Sequence, residues 1–375
     1  MRALVMRGFG DVAVEDVPDP VPGPGEVVID VACVQPSVTE CMLLAGEPIA
    51  MHTVLAERLA AGPTRFGGHE FAGVISAVGP GAPAGPATTG GPGAPADLAV
   101  GDRVTAVETA TCGRCAACRR NRPDACPSPG VLGFTGPGAF AERVLVPART
   151  VVRVPDGVPA AHAAAVQPLA GAIHGHAIAA VRPGDTVLAI GAGVMGVLHT
   201  QVARRGNAGL VIATGRSEAK RALAERAGAD LVVDATREDV VARVLEATEG
   251  IGADVVFECA GEFEQAARCV RRGGTIVMVS VLPNHAPAPL ALLRERSVSV
   301  LHPRSGAGGY APGSSVFEHA LRLVHRGDVD VQGLISHRLD GVEALPEALE
   351  ITRYKSKYAA LGPAQVDLFD WETRA

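Results

Sequence analysis

Cys112, Cys115, Cys118 and Cys126 fall close together in the run TCGRCAACRRNRPDAC. Four thiolates at this CxxCxxCx7C spacing can surround one Zn²⁺ tetrahedrally and leave no open position, so the ion would be structural. An iron–sulfur cluster is the competing ligand reading; the residues around the cysteines favour zinc. A second chemistry-bearing pattern is TVLAIGAGVMG, in which Gly191, Gly193 and Gly196, with Val194 and Met195 between them, have the GxGxxG spacing. The first glycine permits a tight turn, the second lets backbone approach a pyrophosphate, and the third lets a helix pack closely on a strand. After the next apolar run stand Gly215, Arg216 and Ser217. An acid there would bond the ribose 2′-hydroxyl of NAD. Its absence, with an arginine that can pair a phosphate, points to NADP(H), against the plainer reading of Arg216 as a solvated turn residue.

These groups need a scaffold, and the flanking pattern supplies one. An apolar run ending at Ile190 predicts a strand, the pattern through His199 to Arg205 a helix, and Leu210 to Thr214 a second strand. Together they form a βαβ unit whose helix N-terminus offers free N–H groups to phosphates. Ser280 and Val281 follow the strand GGTIVMV and belong at its carboxyl end, near the nicotinamide. At 375 residues two domains are expected. The formal charge of −6 argues against nucleic acid or an anionic membrane as partner, and no apolar run is long enough to span a bilayer. The opening residues lack the apolar block of a signal peptide, so a cytoplasmic protein acting on a small molecule is expected. Cys33, Cys41, Cys259 and Cys269 are scattered and read as small buried hydrophobes. Residues 50–61 predict a short helix, Val366 to Trp371 a last strand, and the Pro/Gly-rich stretch 79–97 a surface loop.

The chain resembles the zinc-containing medium-chain dehydrogenase/reductase family of alcohol, sorbitol and threonine dehydrogenases. The resemblance rests on PGPGEVVIDV, GGHEFAGVI, VGDRV, the four-cysteine lobe, GAFAERVLVP, the glycine motif, FECAG and GGTIVMVS. It implies an α/β chain: a GroES-like β-rich catalytic domain over residues 1–155, a doubly wound Rossmann domain over 156–300, and a return to the catalytic domain over 301–375. It also implies that Ala260 of FECAG lines the cofactor site, and that the protein pairs as a homodimer or homotetramer.

One segment departs from the family. Where members carry GICGTDLH, this chain reads QPSVTECM. Ser37 stands in place of the zinc-ligand cysteine, Thr39 keeps the relay hydroxyl, and Glu40 and Met42 replace an aspartate and a histidine. His69 and Glu70 preserve the GHE pair, while the acid of EPLA becomes Gln167. His69 and Glu70 are the positions at which a catalytic zinc would be held, with Ser37 or Gln167 as weak third ligands. On a strand Cys41 would share the face of Ser37 and could stand in as the thiolate. The expected activity is interconversion of a secondary alcohol, polyol- or cyclitol-like, and its ketone, with Ser37, Thr39, Glu40, His69, Glu70 and Gln167 as the catalytic set. The alternatives are zinc-independent reduction of a C=C or iminium bond, and NADPH binding without turnover.

Overall fold

The computed structural model describes residues 1–80, 98–112, 114–120, 125–284, 286–303, 309–311 and 314–373, so most of the 79–97 stretch lies outside the described residues. The chain divides into two compact units: Met1–Ala170 with Ser305–Gly327 and Leu334–Ala375, and Gly171–Arg304 with Asp328–Gly333.

The first unit is β-rich. Its main sheet runs Val151–Arg153, Arg103–Ala106, Glu70–Val78, Glu26–Gln35, Ala364–Asp367, His337–Asp340, with Arg143–Pro147 also paired to Glu26–Gln35. The expected last strand is Ala364–Asp367, shorter and earlier than Val366 to Trp371. It lies antiparallel to Glu26–Gln35, setting Val366 opposite Val34. Beyond it Trp371 is buried. In the central pair Gln35 faces Glu70 and Val34 faces Phe71, which brings the end of one strand against the start of the other. The helix expected over 50–61 is His52–Ala60. The segment after Gln35 is the helix Val38–Leu44 and not a strand, because Ser37 and Glu40 form a reciprocal cap at its first turn.

The second unit is a six-stranded parallel sheet in the order Leu231–Asp234, Leu210–Gly215, Thr186–Ile190, Ala253–Glu258, Val270–Met278, Ser299–Leu301. In chain order this is 3-2-1-4-5-6, the doubly wound arrangement whose strand order reverses beside the first strand. Alternate faces of the strands are buried by helices: Leu188, Ile190, Ile212, Val256 and Ile276 pack on one side, Val187, Val211, Val255, Phe257 and Val277 on the other. On the second face two histidines occupy positions suited to hydrocarbon. The fully buried His199 ring stacks 3.9 Å from that of Phe257, and the His176 ring lies 4.3 Å from Phe257 and 5.3 Å from His199. His176 Nε2 lies 3.2 Å from the His199 carbonyl oxygen, whereas neither ring nitrogen of His199 has a hydrogen-bond partner among the described residues.

Candidate functional site

In the first unit, the backbone that carries His69 is held by two glycines. Gly68 has φ +83°, and a Cβ there would lie 2.2 Å from the Phe140 nitrogen; at Gly67 it would lie 2.2 Å from the Phe140 ring. Only glycine fits both positions, and the tight approach delivers His69 beside the first turn of the helix Val38–Leu44. Glu40, with no exposed surface, uses both carboxyl oxygens there. One accepts the Ser37 N–H at 2.7 Å; the other accepts the Gly68 N–H at 2.6 Å and lies 2.8 Å from His69 Nδ1. The Nδ1 contact leaves Nε2 as the imidazole nitrogen free of that bond, with Glu70 Oε1 at 3.7 Å. Burial alone would pull His69 down, but the Glu40 carboxyl, together with Glu70 and Glu108, pushes it up to about 9. Burial pushes Glu70 up to about 7, against the opposing pull of His69 and Gln35.

Glu70 is also the end of a chain of buried amides. Gln35 Nε2 donates to Glu70 Oε2, Gln365 Nε2 donates to Gln35 Oε1 at 2.8 Å and to the Ala161 carbonyl at 2.8 Å, and the Cys33 thiol donates to Gln365 Oε1 at 3.5 Å. Each amide accepts on one side and donates on the other, so the chain has one polarity and ends with N–H groups presented to Glu70.

The remaining expected residues are placed differently. Ser37 Oγ accepts the Glu40 N–H at 3.1 Å and so serves as a helix cap. Cys41, on the helix, sends its thiol to the Leu349 carbonyl at 3.4 Å, and burial pushes it up to about 12. Cys33 is likewise pushed well up by burial. The Thr39 hydroxyl is half-buried and has no hydrogen-bond partner among the described residues. Gln167 is buried in the first turn of Val166–Ile178 and makes no hydrogen bond to Ser37, His69 or Glu70. A catalytic zinc needs three protein ligands and an open position. Here the donor set reduces to His69 and Glu70, with the serine and both nearby thiols committed elsewhere, so these residues do not fit that ion.

The four-cysteine lobe does fit one. Its sulfurs all lie within 4.8 Å of one another, with Cys115 and Cys118 at 3.4 Å and Cys112 and Cys118 at 4.0 Å. Tetrahedral Zn–S bonds of about 2.3 Å place sulfurs roughly 3.8 Å apart. Backbone hydrogen bonds at Arg114 and Cys115 hold Cys112 down at about 6, ready to act as a thiolate. Among the described residues this is the one group of three or more His, Cys, Asp or Glu side chains close enough to share a metal ion.

In the second unit the three motif glycines have distinct surroundings. Gly191 has φ +98° and its N–H donates to Thr214 Oγ1 at 3.1 Å. A Cβ on Gly193, the cap of the helix Val194–Arg205, would meet nothing within 4 Å, and one on Gly196 would strike the Gly191 carbonyl oxygen at 1.9 Å. The open face of Gly193 is where a pyrophosphate can approach, and the Gly196 contact is the close helix–strand packing. At the end of Leu210–Gly215, Ser217 caps the next helix. The Arg216 guanidinium is exposed without an ion pair among the described residues, whereas Arg221 pairs with Asp234 at 2.9 Å and donates to the Arg216 carbonyl at 3.0 Å. Lys220 is lowered first by burial and then by the charge of Arg216, which sets two cations side by side. Gly215 is tightly enclosed: a Cβ there would lie 3.0 Å from Arg221 Cγ and 3.1 Å from Ala192 Cβ. Ala260 and Ser280 both bond to the buried Glu258, and Val281 is half-buried.

Sequence reasoning passed over Gln35, Gln365, Glu108, Lys220, Arg221 and Glu258. Gln365 lies too far along the chain from Gln35 for any local pattern to join them. Arg221, on the first turns of the helix after Arg216, was within reach of one.

Two family models match the chain: an alcohol dehydrogenase GroES-like domain over residues 23–156 and a zinc-binding dehydrogenase over residues 191–326. The L-threonine 3-dehydrogenase of Pyrococcus horikoshii is 30% identical over 349 residues, covering 92% of this chain and 93% of that protein. The sorbitol dehydrogenase of Halalkalibacterium halodurans is 32% identical over 346 residues, covering 90% and 92%. A solved structure from Sinorhizobium meliloti 1021, described as a zinc-binding dehydrogenase bound to NADP, aligns with a TM-score of 0.80 at 30% identity, covering 98% of this chain and 99% of that one. Among the described residues no helix is long and apolar enough to cross a membrane.

Proposed function

Because the chain belongs to the zinc-containing medium-chain dehydrogenase/reductase family, we propose that this oxidoreductase is NADP(H)-dependent, interconverts a secondary alcohol and its ketone, and works without a catalytic zinc. The carrying observation is the His69–Glu40 pair, built beside a donor set that keeps His69 and Glu70 and lacks a third metal ligand. One structural zinc is assigned to Cys112, Cys115, Cys118 and Cys126. Gly191, Gly193, Val194, Met195 and Gly196 would hold the pyrophosphate, Arg216 with Lys220 the 2′-phosphate, and Ala260, Ser280 and Val281 the nicotinamide half. Bound there, the cofactor supplies the hydride in reduction and takes it in oxidation.

The chain's own residues handle the proton. With its pKa raised to about 9, His69 carries a proton at neutral pH, and Glu40 fixes the ring so that Nε2–H can be given. As hydride reaches the carbonyl carbon, that proton goes to the oxygen in which charge develops. In the reverse direction neutral His69 takes it from the alcohol. Thr39, whose hydroxyl is unengaged, is the second candidate for the substrate oxygen. Glu70, held by Gln35, stands 3.7 Å from Nε2 and can return a proton to it.

The clustering of Glu40, Glu70 and Glu108 around one imidazole favours a second reading, reduction of a cationic iminium. Two measurements test the proposal together: zinc per purified chain by elemental mass spectrometry, and NADPH oxidation against panels of ketones and cyclic iminium ions. About one zinc with ketone turnover is expected. About two would overturn the metal-free site, and turnover of iminium ions alone would transfer the assignment to the second reading. Tight NADPH binding with no turnover on either panel would leave a binding protein.

A further inference from the structure

Glu258 ends the fourth strand of the parallel sheet and has no exposed surface. Two backbone donors and one hydroxyl converge on its carboxyl group. Oε1 accepts the Ala260 N–H at 2.8 Å and the Glu262 N–H at 2.9 Å, and Oε2 accepts the Ser280 hydroxyl. Its carbonyl oxygen accepts the N–H groups of Val279 and Ser280, each at 2.9 Å. One residue therefore ties the turn after the fourth strand to the turn after the fifth.

The topology says what those turns face. In a doubly wound sheet the first three strands form one mononucleotide half and the last three the other, with ligand at the carboxyl ends of the strands. Arg216 follows the second strand, which puts the adenosine 2′-phosphate on the first half and the nicotinamide on the second. The junction is tight as well: a Cβ on Gly191 would lie 2.8 Å from that of Ala260, and the Cys259 N–H donates to the Ile190 carbonyl at 3.0 Å. Gly261, at φ +84°, completes a turn whose shape is imposed by the Glu258 bonds at its two ends.

We propose that Glu258 is the positioning residue of the nicotinamide half of the cofactor site, acting through the Ala260–Glu262 turn and Ser280. Its role rests on the NADP(H) reading and is specific to one half of the ligand. Adenosine 2′,5′-bisphosphate carries only the other half, so the two probes separate positioning from general damage. Calorimetric titration of Glu258→Ala, Glu258→Gln and Ser280→Ala with NADPH and with adenosine 2′,5′-bisphosphate makes the test. Glu258→Ala should weaken NADPH about tenfold or more and leave the bisphosphate within about twofold, since losing hydrogen bonds to a buried carboxyl is worth at least that factor. Glu258→Gln keeps an oxygen for the two N–H groups and should bind NADPH nearly as wild type does. Ser280→Ala, which buries no new polar group, should fall between and keeps the test open if Glu258→Ala does not fold. Equal loss for both probes, or loss for neither, overturns the proposal. If wild type binds NADH and ADP but not their 2′-phosphorylated counterparts, the NADP(H) reading fails, and the same comparison read on NADH and ADP still decides for or against Glu258.

Discussion

Replacing His199 with leucine should make the protein more resistant to acid. Burial pushes His176 down from 6.5 to about 3 and holds His199 well below 6.5, where His176 adds to the effect. Between those limits the unfolded chain binds protons that the folded one refuses, so stability is full above about pH 6.5 and erodes as pH falls. Each unit of pH below 6.5 costs about 1.4 kcal/mol per buried imidazole, hence about 2 kcal/mol each by pH 5 and about 4 for the pair. Leucine has a similar volume and no nitrogen to satisfy, so His199→Leu should remove about half of that loss. The assay is urea unfolding followed by circular dichroism at pH 7.5, 6.5, 5.5 and 5.0 on both proteins. Taking the difference between variant and wild type cancels other titrating groups, including Glu70, whose raised value acts in the opposite sense. Curves that run parallel across this range would refute the reasoning, because the ring at position 199 would then be no more reluctant to charge when folded than when unfolded.

Glu40→Gln removes the largest of the charges that lift His69 against burial, so ketone reduction should lose about a hundredfold in kcat/KM at pH 8 and less at pH 6; a loss independent of pH would exclude His69 as the acid. Ser37→Ala should cost about 1 kcal/mol of stability by urea unfolding and leave the zinc content unchanged, as befits a cap; loss of a metal ion would restore it as a ligand. Arg216→Ala should raise the KM for NADP(H) about tenfold or more with little change for NAD(H), and an unaltered preference would sink the 2′-phosphate assignment.

What could be read in advance followed locality. The glycine turn and the cysteine lobe are short-range devices: spacing alone brings their groups together, and strands and helix appear around Gly191 as the apolar pattern demands. The segment from Ser37 to Met42 was harder because two patterns overlap there. Alignment with the family makes Ser37 a metal position, yet Ser-Val-Thr-Glu is also a capping signature, and the local chemistry prevails: Glu40 takes the Ser37 N–H and keeps a second oxygen for His69. The same helix turns Cys41 toward Leu349, a contact no strand reading would give. Gln35 and Gln365 meet only because the late strand joins the early one, and Glu258 shows its purpose only when the ends of two parallel strands stand side by side.

The strand Ala364–Asp367 has a consequence for synthesis. Gln365, which anchors the amide chain to Glu70, is translated 330 residues after its partner Gln35. The nascent chain must therefore hold a polar cluster open while the whole intervening unit is translated, and this long-range closure is slow by nature. The parallel sheet, contained between Gly171 and Arg304 apart from a short later segment, can assemble first. The amide chain to Glu70 is anchored only once Gln365 has been made, so a chain cut before the strand Ala364–Asp367 would keep its glycine turn and lack that anchor.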